Sequence, residues 1–299
     1  MTYVEDPRTA PPIRWGILAP GGIANTFALA VNRYTRAQLV AVGSRNKDRA
    51  ERFATQHGIP TTHVGYEALI NDPQVDAVYV ASPHSEHHDH ALLAIAAGKH
   101  VLVEKSFARN AAEAQEVVDA ARAAGVFCME AMWTRFLPHV VALRSVLARG
   151  DIGRIVGLIA DHGQPFASWP ATHRIHNPEL AGGALLDLGV YPVSFAHDLL
   201  GVPDRIAAVG SLTPTGVDGQ ISIALGFGPD VQASLHTGQG TRRHSYSRTH
   251  DRASRDKRLV ANPCTGRDDG PHPDERAALD RSPVKDGAMN RHGFGAASL

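Results

Sequence analysis

The sequence predicts an α/β protein: a doubly wound parallel sheet followed by an α+β domain with an open, mainly antiparallel sheet. Three observations lead to this fold class. Apolar runs alternate with helical periodicity over residues 13–131. These runs are continuous, which is typical of strands buried on both faces by crossover helices. A glycine-containing turn joins the first apolar run to the first helix, as in dinucleotide-binding sheets.

Each element of the first half has its own signal. We predict strands at 13–18, 37–44, 75–82, 100–105 and 126–131, and helices at 21–34, 46–58, 85–98 and 110–125. Asn46, Ser85 and Asn110 are candidate N-caps of the last three helices. Gly58 and Gly125 end two of them, as glycine commonly does.

Composition excludes several classes of partner. The 299 residues contain 30 basic and 30 acidic side chains, so the net charge is zero and no nucleic-acid or membrane partner is indicated. No apolar run approaches the ~20 residues of a membrane span, and residues 1–12 lack the features of a signal peptide. We therefore expect a cytoplasmic protein, in which Cys128 and Cys264 are free thiols.

The turn after the first strand, "APGGIA", is the candidate phosphate loop. Gly21 and Ala24 fit the second and third positions of the dinucleotide fingerprint, while Ala19 replaces the first glycine. Gly22 adds turn character, and Ile23 lies at the helix start, where free N–H groups favour phosphates. The alternative is an ordinary strand-to-helix turn.

The end of the second strand bears on the choice of cofactor. NAD sites usually carry a carboxylate there for the ribose 2′-hydroxyl, but this strand ends in Ser44 and Arg45. Because arginine pairs well with phosphate, the pattern favours NADP, with NAD as the other possibility. Lys47 is a weaker candidate for the same phosphate, and a solvated arginine is the alternative interpretation.

Two opposite charges, Glu104 and Lys105, directly follow the apolar residues 101–103. In doubly wound sheets, ligands bind outside the carboxyl ends of the strands. We therefore expect these two side chains to border a ligand.

Four segments in this order resemble the Gfo/Idh/MocA family: "RWGILAPGGIA", "YVASPHSEHHDHALLAIAAGKHVLVEKSF", "EAMWTRFLP" and "GGALLDLGVYPVS". The last two are most similar to its dimeric dihydrodiol dehydrogenase and D-xylose dehydrogenase branch. The resemblance implies an NAD(P)-binding Rossmann domain at 13–134 and a substrate and oligomerisation domain at 135–240. It also implies a homodimer or homotetramer that oxidises or reduces a small polyol, sugar or cyclic diol.

The resemblance also implies catalytic residues. Lys105 matches the lysine of the family's Glu-Lys-Pro motif, which contacts the nicotinamide ribose and the substrate hydroxyl, whereas Ser106 replaces the proline. Tyr191 matches the tyrosine that some branches use to move the proton, and Asp187 lies four residues before it. A phenol with a pKa of about 10 needs a nearby cation to stabilise its anion, which Lys105 would provide.

Further site residues follow from the same resemblance. On the cofactor side we expect Ser82, His84, His87 and Glu104, and on the substrate side Trp133, Arg135, His173 and Arg174. The histidine-rich "HSEHHDH" lacks a zinc signature such as H-E-x-x-H, so we expect no metal.

The second half changes character along its length. Strands are predicted at 154–164, 205–213, 219–228 and 230–239, with a helix at 183–200 over their packed face. After residue 241 no apolar period persists, so we predict that residues 241–299 are disordered or the product of a shifted reading frame. The second sheet would then be incomplete. Residues 1–12 are also predicted to be disordered.

The predicted function is NADP-dependent hydride transfer between nicotinamide and a hydroxyl or carbonyl carbon of a sugar or trans-dihydrodiol. The alternative is a catalytically impaired cofactor-binding protein, either a sensor or the product of a damaged gene. The presence of Lys105, Asp187 and Tyr191 together favours the enzyme.

Overall fold

The computed structural model describes residues 6–240 and, as backbone, a short strand at 259–261. The first half contains β1 (Arg14–Leu18), α1 (Gly22–Tyr34), β2 (Gln38–Ser44), α2 (Lys47–His57), β3 (Thr61–Val64), α3 (Tyr66–Ile70), β4 (Ala77–Val80), α4 (His87–Ala96), β5 (His100–Val103), α5 (Ala111–Ala124) and β6 (Cys128–Glu130). The six strands are parallel, in the order β3-β2-β1-β4-β5-β6. The predicted doubly wound parallel sheet is confirmed.

The central strands are buried on both faces, which explains their continuous apolar sequences. In β1, Leu18 packs in the cluster that contains α4 and α5 residues, whereas its neighbour Ile17 packs in the cluster that contains α1 and α2 residues. In β4, Val78 and Val80 face the first cluster and Tyr79 the second. Successive side chains point to opposite faces of a strand, so each face receives its own layer of helices.

The helix boundaries follow the predicted caps in two of three cases. The side chains of Asn46 and Asn110 accept hydrogen bonds from backbone N–H groups three residues ahead, at 2.9 and 3.0 Å. Gly58 and Gly125 end the same helices with φ of +69° and +67°. The prediction for Ser85 is wrong, because residues 84–86 form a 3₁₀ turn and α4 begins two residues later.

The second half contains α6 (Pro138–Arg149), β7 (Gly157–Gly163), a π-helical turn (Leu185–Gly189), α7 (Val190–Leu200), β8 (Arg205–Leu212), β9 (Asp218–Phe227), β10 (Val231–Gly238) and β11 (Leu259–Ala261). The sheet order is β11-β7-β10-β9-β8. It is open, as predicted, and mixed: β8, β9 and β10 pair antiparallel, whereas β7 pairs parallel with β10 and β11. Four elements, β3, α3, α6 and β11, had no counterpart in the prediction, and β11 lies in the segment that was predicted to be disordered.

One face of the second sheet packs against α7. Leu158, Leu225 and Leu235 of the sheet are buried with Phe195 and Ala196 of the helix. Apart from β11, the tail predicted at 241–299 lies outside the described residues, as does Cys264. Within the described residues, no helix has both the length and the apolar character needed to cross a membrane.

The predicted continuous helix at 183–200 is wrong in its first turn. The N–H of Val190 donates to the Leu185 carbonyl, five residues back, so the turn is π-helical. Pro192 provides the physical reason, because its ring would clash with the Leu188 carbonyl in an α-helical register. The helix therefore takes a wider turn before α7, and π-turns of this kind are frequent at functional sites.

Candidate active site

The turn between β1 and α1, the predicted phosphate loop, leaves its backbone accessible. Ala19 has a left-handed backbone with φ of +64°, which costs a residue with a Cβ about 1–2 kcal/mol. A Cβ added to Gly21 would meet only the Ala19 carbonyl oxygen, at 4.0 Å, and one added to Gly22 would meet nothing within 4 Å. The space beside these two glycines is therefore open, so a ligand could approach the backbone closely.

The start of α1 supplies the donors for such a group. The first intrahelical bond runs from the Asn25 N–H to the Gly21 carbonyl at 3.0 Å. The N–H groups of Gly22, Ile23 and Ala24 precede this bond, so they and the positive helix end can face an anion. Ala24 is buried in the same cluster as Ile17 of β1, which is the close helix–strand packing expected at its position.

The end of β2 carries an exposed cation, Arg45, beside Ser44, whose hydroxyl is already hydrogen-bonded. Ser44 is buried, and its hydroxyl accepts a hydrogen bond from the Asn46 N–H at 3.2 Å. Arg45 is exposed beside it. Of the two residues predicted to select the cofactor, Arg45 is thus the one whose side chain extends into solvent.

Lys105 lies directly after β5 and reaches the second half of the chain. Its Nζ donates to the backbone carbonyl of Asp187 at 2.8 Å and to the carboxylate of the same residue at 3.1 Å. The Nζ also lies 5.1 Å from the centre of the Tyr191 ring. The buried Tyr191 hydroxyl accepts a hydrogen bond from the Trp133 indole N–H at 3.3 Å. The structure therefore brings four of the predicted site residues together.

Asp187 is a buried carboxylate that contacts two cations and one histidine ring. Its Oδ1 lies 3.0 Å from Arg174 and 3.6 Å from the His84 ring, in addition to its bond with Lys105. Burial alone would raise the pKa of Asp187, but Lys105, Arg174 and His84 outweigh it and lower this pKa to about 2. Burial lowers the pKa of His84 to about 4, so this ring is neutral at physiological pH.

Glu104 accepts hydrogen bonds from Tyr79 and from the backbone of Lys105. The Tyr79 hydroxyl donates to one carboxylate oxygen of Glu104, and the backbone N–H of Lys105 donates to the other at 3.2 Å. Burial raises the pKa of Glu104, and the Tyr79 hydrogen bond opposes this rise. Glu104 thus bonds the backbone of the residue that it precedes.

His87 and Ser82 lie beneath the surface of the site. The fully buried His87 ring has Nδ1 2.6 Å from the Ser106 carbonyl and Nε2 2.8 Å from the Ser82 carbonyl. The Ser82 hydroxyl lies 2.9 Å from Nδ1 of His90. A neutral ring has one N–H and can donate to only one of these carbonyls, but the buried His87 ring lies between the two loops and contacts both. In residues 6–240, no cluster of three or more metal-ligating side chains occurs.

Two further residues that were predicted to bind substrate, Arg135 and His173, form hydrogen bonds with residues outside the cluster around Asp187. Arg135 donates to the Ser194 hydroxyl at 3.2 Å and lies 3.7 Å from Asp198, so the structure directs it to α7 and not to Asp187. His173 accepts a hydrogen bond from the Ile175 N–H at 3.3 Å and packs edge-on against Trp169.

His162 is a site residue that sequence reasoning missed. It lies on the inner face of β7, 8% exposed, with its ring edge-to-face against Tyr191 at 5.1 Å between centroids. Burial, followed by the charge of Lys105, lowers its pKa to about 4. The available signal was a polar residue at an inward position, two residues after the apolar Ala160.

Comparison with known proteins adds to this geometry. Residues 13–132 match an oxidoreductase family with an NAD-binding Rossmann fold, and residues 140–254 match the GFO/IDH/MocA C-terminal domain. Trans-1,2-dihydrobenzene-1,2-diol dehydrogenase from Mus musculus is 42% identical over 227 residues, which span 75% of this chain and 67% of that protein.

Two solved structures extend the comparison. An NAD binding oxidoreductase from Klebsiella pneumoniae has a TM-score of 0.72 and 29% identity, covering 78% of this chain and 68% of that one. The 3-ketoreductase KijD10 from Actinomadura kijaniata, in complex with NADP and TDP-benzene, has a TM-score of 0.69 and 31% identity, covering 77% of this chain and 71% of that one.

Proposed function

The chain belongs to the Gfo/Idh/MocA family of oxidoreductases, as the sequence resemblance predicted, and we propose that it is an NADP-dependent dehydrogenase of a sugar or trans-dihydrodiol. The observation that carries the proposal is the approach of Lys105 Nζ to within 5.1 Å of the Tyr191 ring, at the carboxyl end of β5. The relative from Mus musculus is named for a trans-diol, which supports this substrate class.

The roles of the side chains follow from charge and reach. The nicotinamide, when bound, supplies or accepts the hydride. The Tyr191 hydroxyl moves the proton of the substrate oxygen, and such a positioned acid or base contributes about 10²–10⁴-fold. The Lys105 ammonium favours the phenolate form of Tyr191 and polarises the substrate oxygen.

Asp187 aims the lysine. Lys105 is held by two oxygens of Asp187, one from the backbone and one from the side chain, which fixes the direction of its long stem. Arg174 shares the same carboxylate oxygen and neutralises much of its charge. We propose that Arg174 and Trp133, which contact Asp187 and Tyr191, border the substrate.

Arg45 is proposed to select NADP. It is the exposed cation at the end of β2, where an NAD site would carry a carboxylate. Arg45→Ala is expected to weaken NADPH binding by about 10–10²-fold and to leave NADH binding within twofold, since a charged hydrogen bond contributes about 1.5–3 kcal/mol. Fluorescence titration measures both constants, and Arg122→Ala on α5 is the matched control. Equal losses for the two cofactors would refute this role.

The catalytic proposal has a direct test. NADPH and NADH are titrated first, and oxidised and reduced sugars and trans-diols are then screened for a change in absorbance at the nicotinamide band. Tyr191→Phe is expected to bind cofactor as the parent does and to lose about 10²–10⁴-fold in turnover. Cofactor binding by the parent without turnover of any substrate would instead support the sensor or damaged-gene alternative.

The assembly is proposed from the family and from one exposed edge. Val209 and Leu212 of β8 are 78% and 72% exposed in the single chain. Apolar side chains of this kind on an edge strand commonly mark an interface. We expect a cytoplasmic homodimer or homotetramer, which light scattering of the purified chain would detect.

A further inference from the structure

Two successive residues after β5 hold two successive carbonyl groups of the π-helical turn. The Lys105 Nζ donates to the Asp187 carbonyl at 2.8 Å. The Ser106 hydroxyl donates to the Leu186 carbonyl, also at 2.8 Å. The turn that leads into Tyr191 is therefore attached to the strand end at two adjacent points.

The π-turn provides an acceptor that a regular helix would use internally. In the register set by Val190 and Leu185, the carbonyl of Asp187 would pair with the nitrogen of Pro192. Proline carries no hydrogen there, so this carbonyl needs a donor from outside the helix. Lys105 supplies that donor, and Ser106 bonds the preceding carbonyl, which can accept a second hydrogen bond.

Ser106 is itself held firmly. It is buried, and its carbonyl lies 2.6 Å from Nδ1 of the buried His87. The hydroxyl thus projects from a backbone that α4 fixes, toward the turn that carries Asp187. A proline, the family residue at this position, would have no hydroxyl to donate.

We propose that Ser106 is a positioning residue for the reaction: its hydroxyl fixes the π-turn against the strand end and so sets the placement of Tyr191 relative to Lys105. The inference rests on the proposed function, because it concerns how the proposed acid/base pair is aligned. A displacement of about 1 Å at a reacting group can cost up to about 10²-fold in rate.

The test uses substitutions that separate the hydroxyl from the volume. Ser106→Ala removes the hydroxyl, Ser106→Thr keeps it, and Ser106→Val has the volume of threonine without it. We expect kcat to fall about tenfold in the alanine and valine variants and to stay within threefold in the threonine variant. The dissociation constant for NADPH should stay within twofold in all three.

A second readout does not depend on turnover. Hydrogen exchange by mass spectrometry should show faster exchange of peptides covering 185–190 in the alanine and valine variants, with other peptides unchanged. The threonine variant should exchange as the parent does. This measurement tests the attachment even if no substrate is found. Faster exchange in the alanine and valine variants, together with no turnover by the parent, would refute the proposed function and not the attachment.

Three outcomes would overturn the inference. The first is a kcat within twofold of the parent in Ser106→Ala. The second is unchanged exchange over 185–190 in both variants that lack the hydroxyl. The third is loss of the folded state in the alanine and valine variants alone, which would make the hydroxyl a structural requirement and not a positioning one.

Discussion

The two sheets of the protein bury their strands to very different extents. In the first sheet, β1 and β4 are covered on both faces, and Leu18 is 0% exposed. In the second sheet, α7 covers one face, and every residue of the edge strand β8 is exposed. The two sheets are similar in size, but only the first surrounds its central strands with helices.

This difference in burial determines where each half of the chain can contribute polar and charged side chains to the site. A polar side chain inside the first sheet needs a partner, as Tyr79 has in Glu104, and the charge that the first sheet contributes to the site, Lys105, lies just beyond the end of a strand. The second sheet contributes through the turn and helix on its packed face, which carry Asp187 and Tyr191. The site is thus a strand end facing a helix start.

The largest expected effect tests the strand end itself. Lys105→Met keeps an unbranched side chain of similar length and removes the charge. We expect turnover to fall about 10³–10⁴-fold, because both the polarised oxygen and the stabilised phenolate are lost. The protein should still fold, since Asp187 retains Arg174 and His84. Steady-state kinetics measure the loss, and Arg122→Met, which removes an exposed positive charge on α5, is the control.

The second prediction compares the two sheets directly, with the same leucine-to-alanine substitution made once in each. Leu18→Ala in β1 leaves a cavity in a sealed core and should lower the free energy of unfolding by about 2–5 kcal/mol. Leu212→Ala in β8 removes a side chain that is 72% exposed in the single chain, and it should change the free energy of unfolding of the monomer by no more than about 0.5 kcal/mol. Urea unfolding of both variants gives the two values. Similar losses would mean that β8 is covered in solution, as in an oligomer.

The first sheet could be predicted well from the sequence because its central strands are buried on both faces. Continuous apolar runs are a strong signal, and the runs ending at Leu18 and Val103 became β1 and β5 with the expected charge following the second. Side-chain caps are equally local, so Asn46 and Asn110 could be identified by chemistry alone.

The site was only partly predictable, because its decisive features are not local. The π-turn depends on the ring of Pro192, a residue that the prediction of a continuous helix did not take into account. Arg135 belongs to the motif that carries Trp133, yet its pairing with Asp198 depends on how α7 packs. The role of Ser106 could not be inferred either, since its acceptor lies 80 residues away.

The third prediction concerns a buried histidine on the packed face of the second sheet. Burial lowers the pKa of His162 to about 4, from an ordinary value of 6.5. As pH falls below 6.5, His162 becomes protonated in the unfolded chain, but in the folded protein it stays neutral until about pH 4. The free energy of unfolding therefore decreases as the pH falls from about 6.5 to about 4. The loss from this one group should be about 3 kcal/mol.

His162→Phe should remove that loss. The free energy of unfolding of the variant, measured in urea at several pH values from 7 to 4, should depend less steeply on pH than that of the parent. His139→Phe, at an exposed position on α6, should retain the slope of the parent. An unchanged slope in the His162 variant would show that this ring can accept a proton in the folded protein, and that the packed face is wetter than the structure indicates.

The smallest effect concerns the polar group enclosed in the first sheet. Tyr79→Phe removes the hydroxyl that donates to Glu104 and leaves a buried carboxyl with one partner fewer. We expect a loss of about 1–2 kcal/mol in the free energy of unfolding, the cost of an unsatisfied buried acceptor. Ser222→Ala removes a hydroxyl that bonds His236 on the open face of the second sheet, where water replaces the lost partner, so a change within about 0.5 kcal/mol is expected. Equal losses of stability in the two variants would contradict this prediction. They would show that the Tyr79 hydroxyl stabilises the protein no more than a solvent-exposed hydroxyl does, so the contrast between the two sheets would not extend to their polar groups.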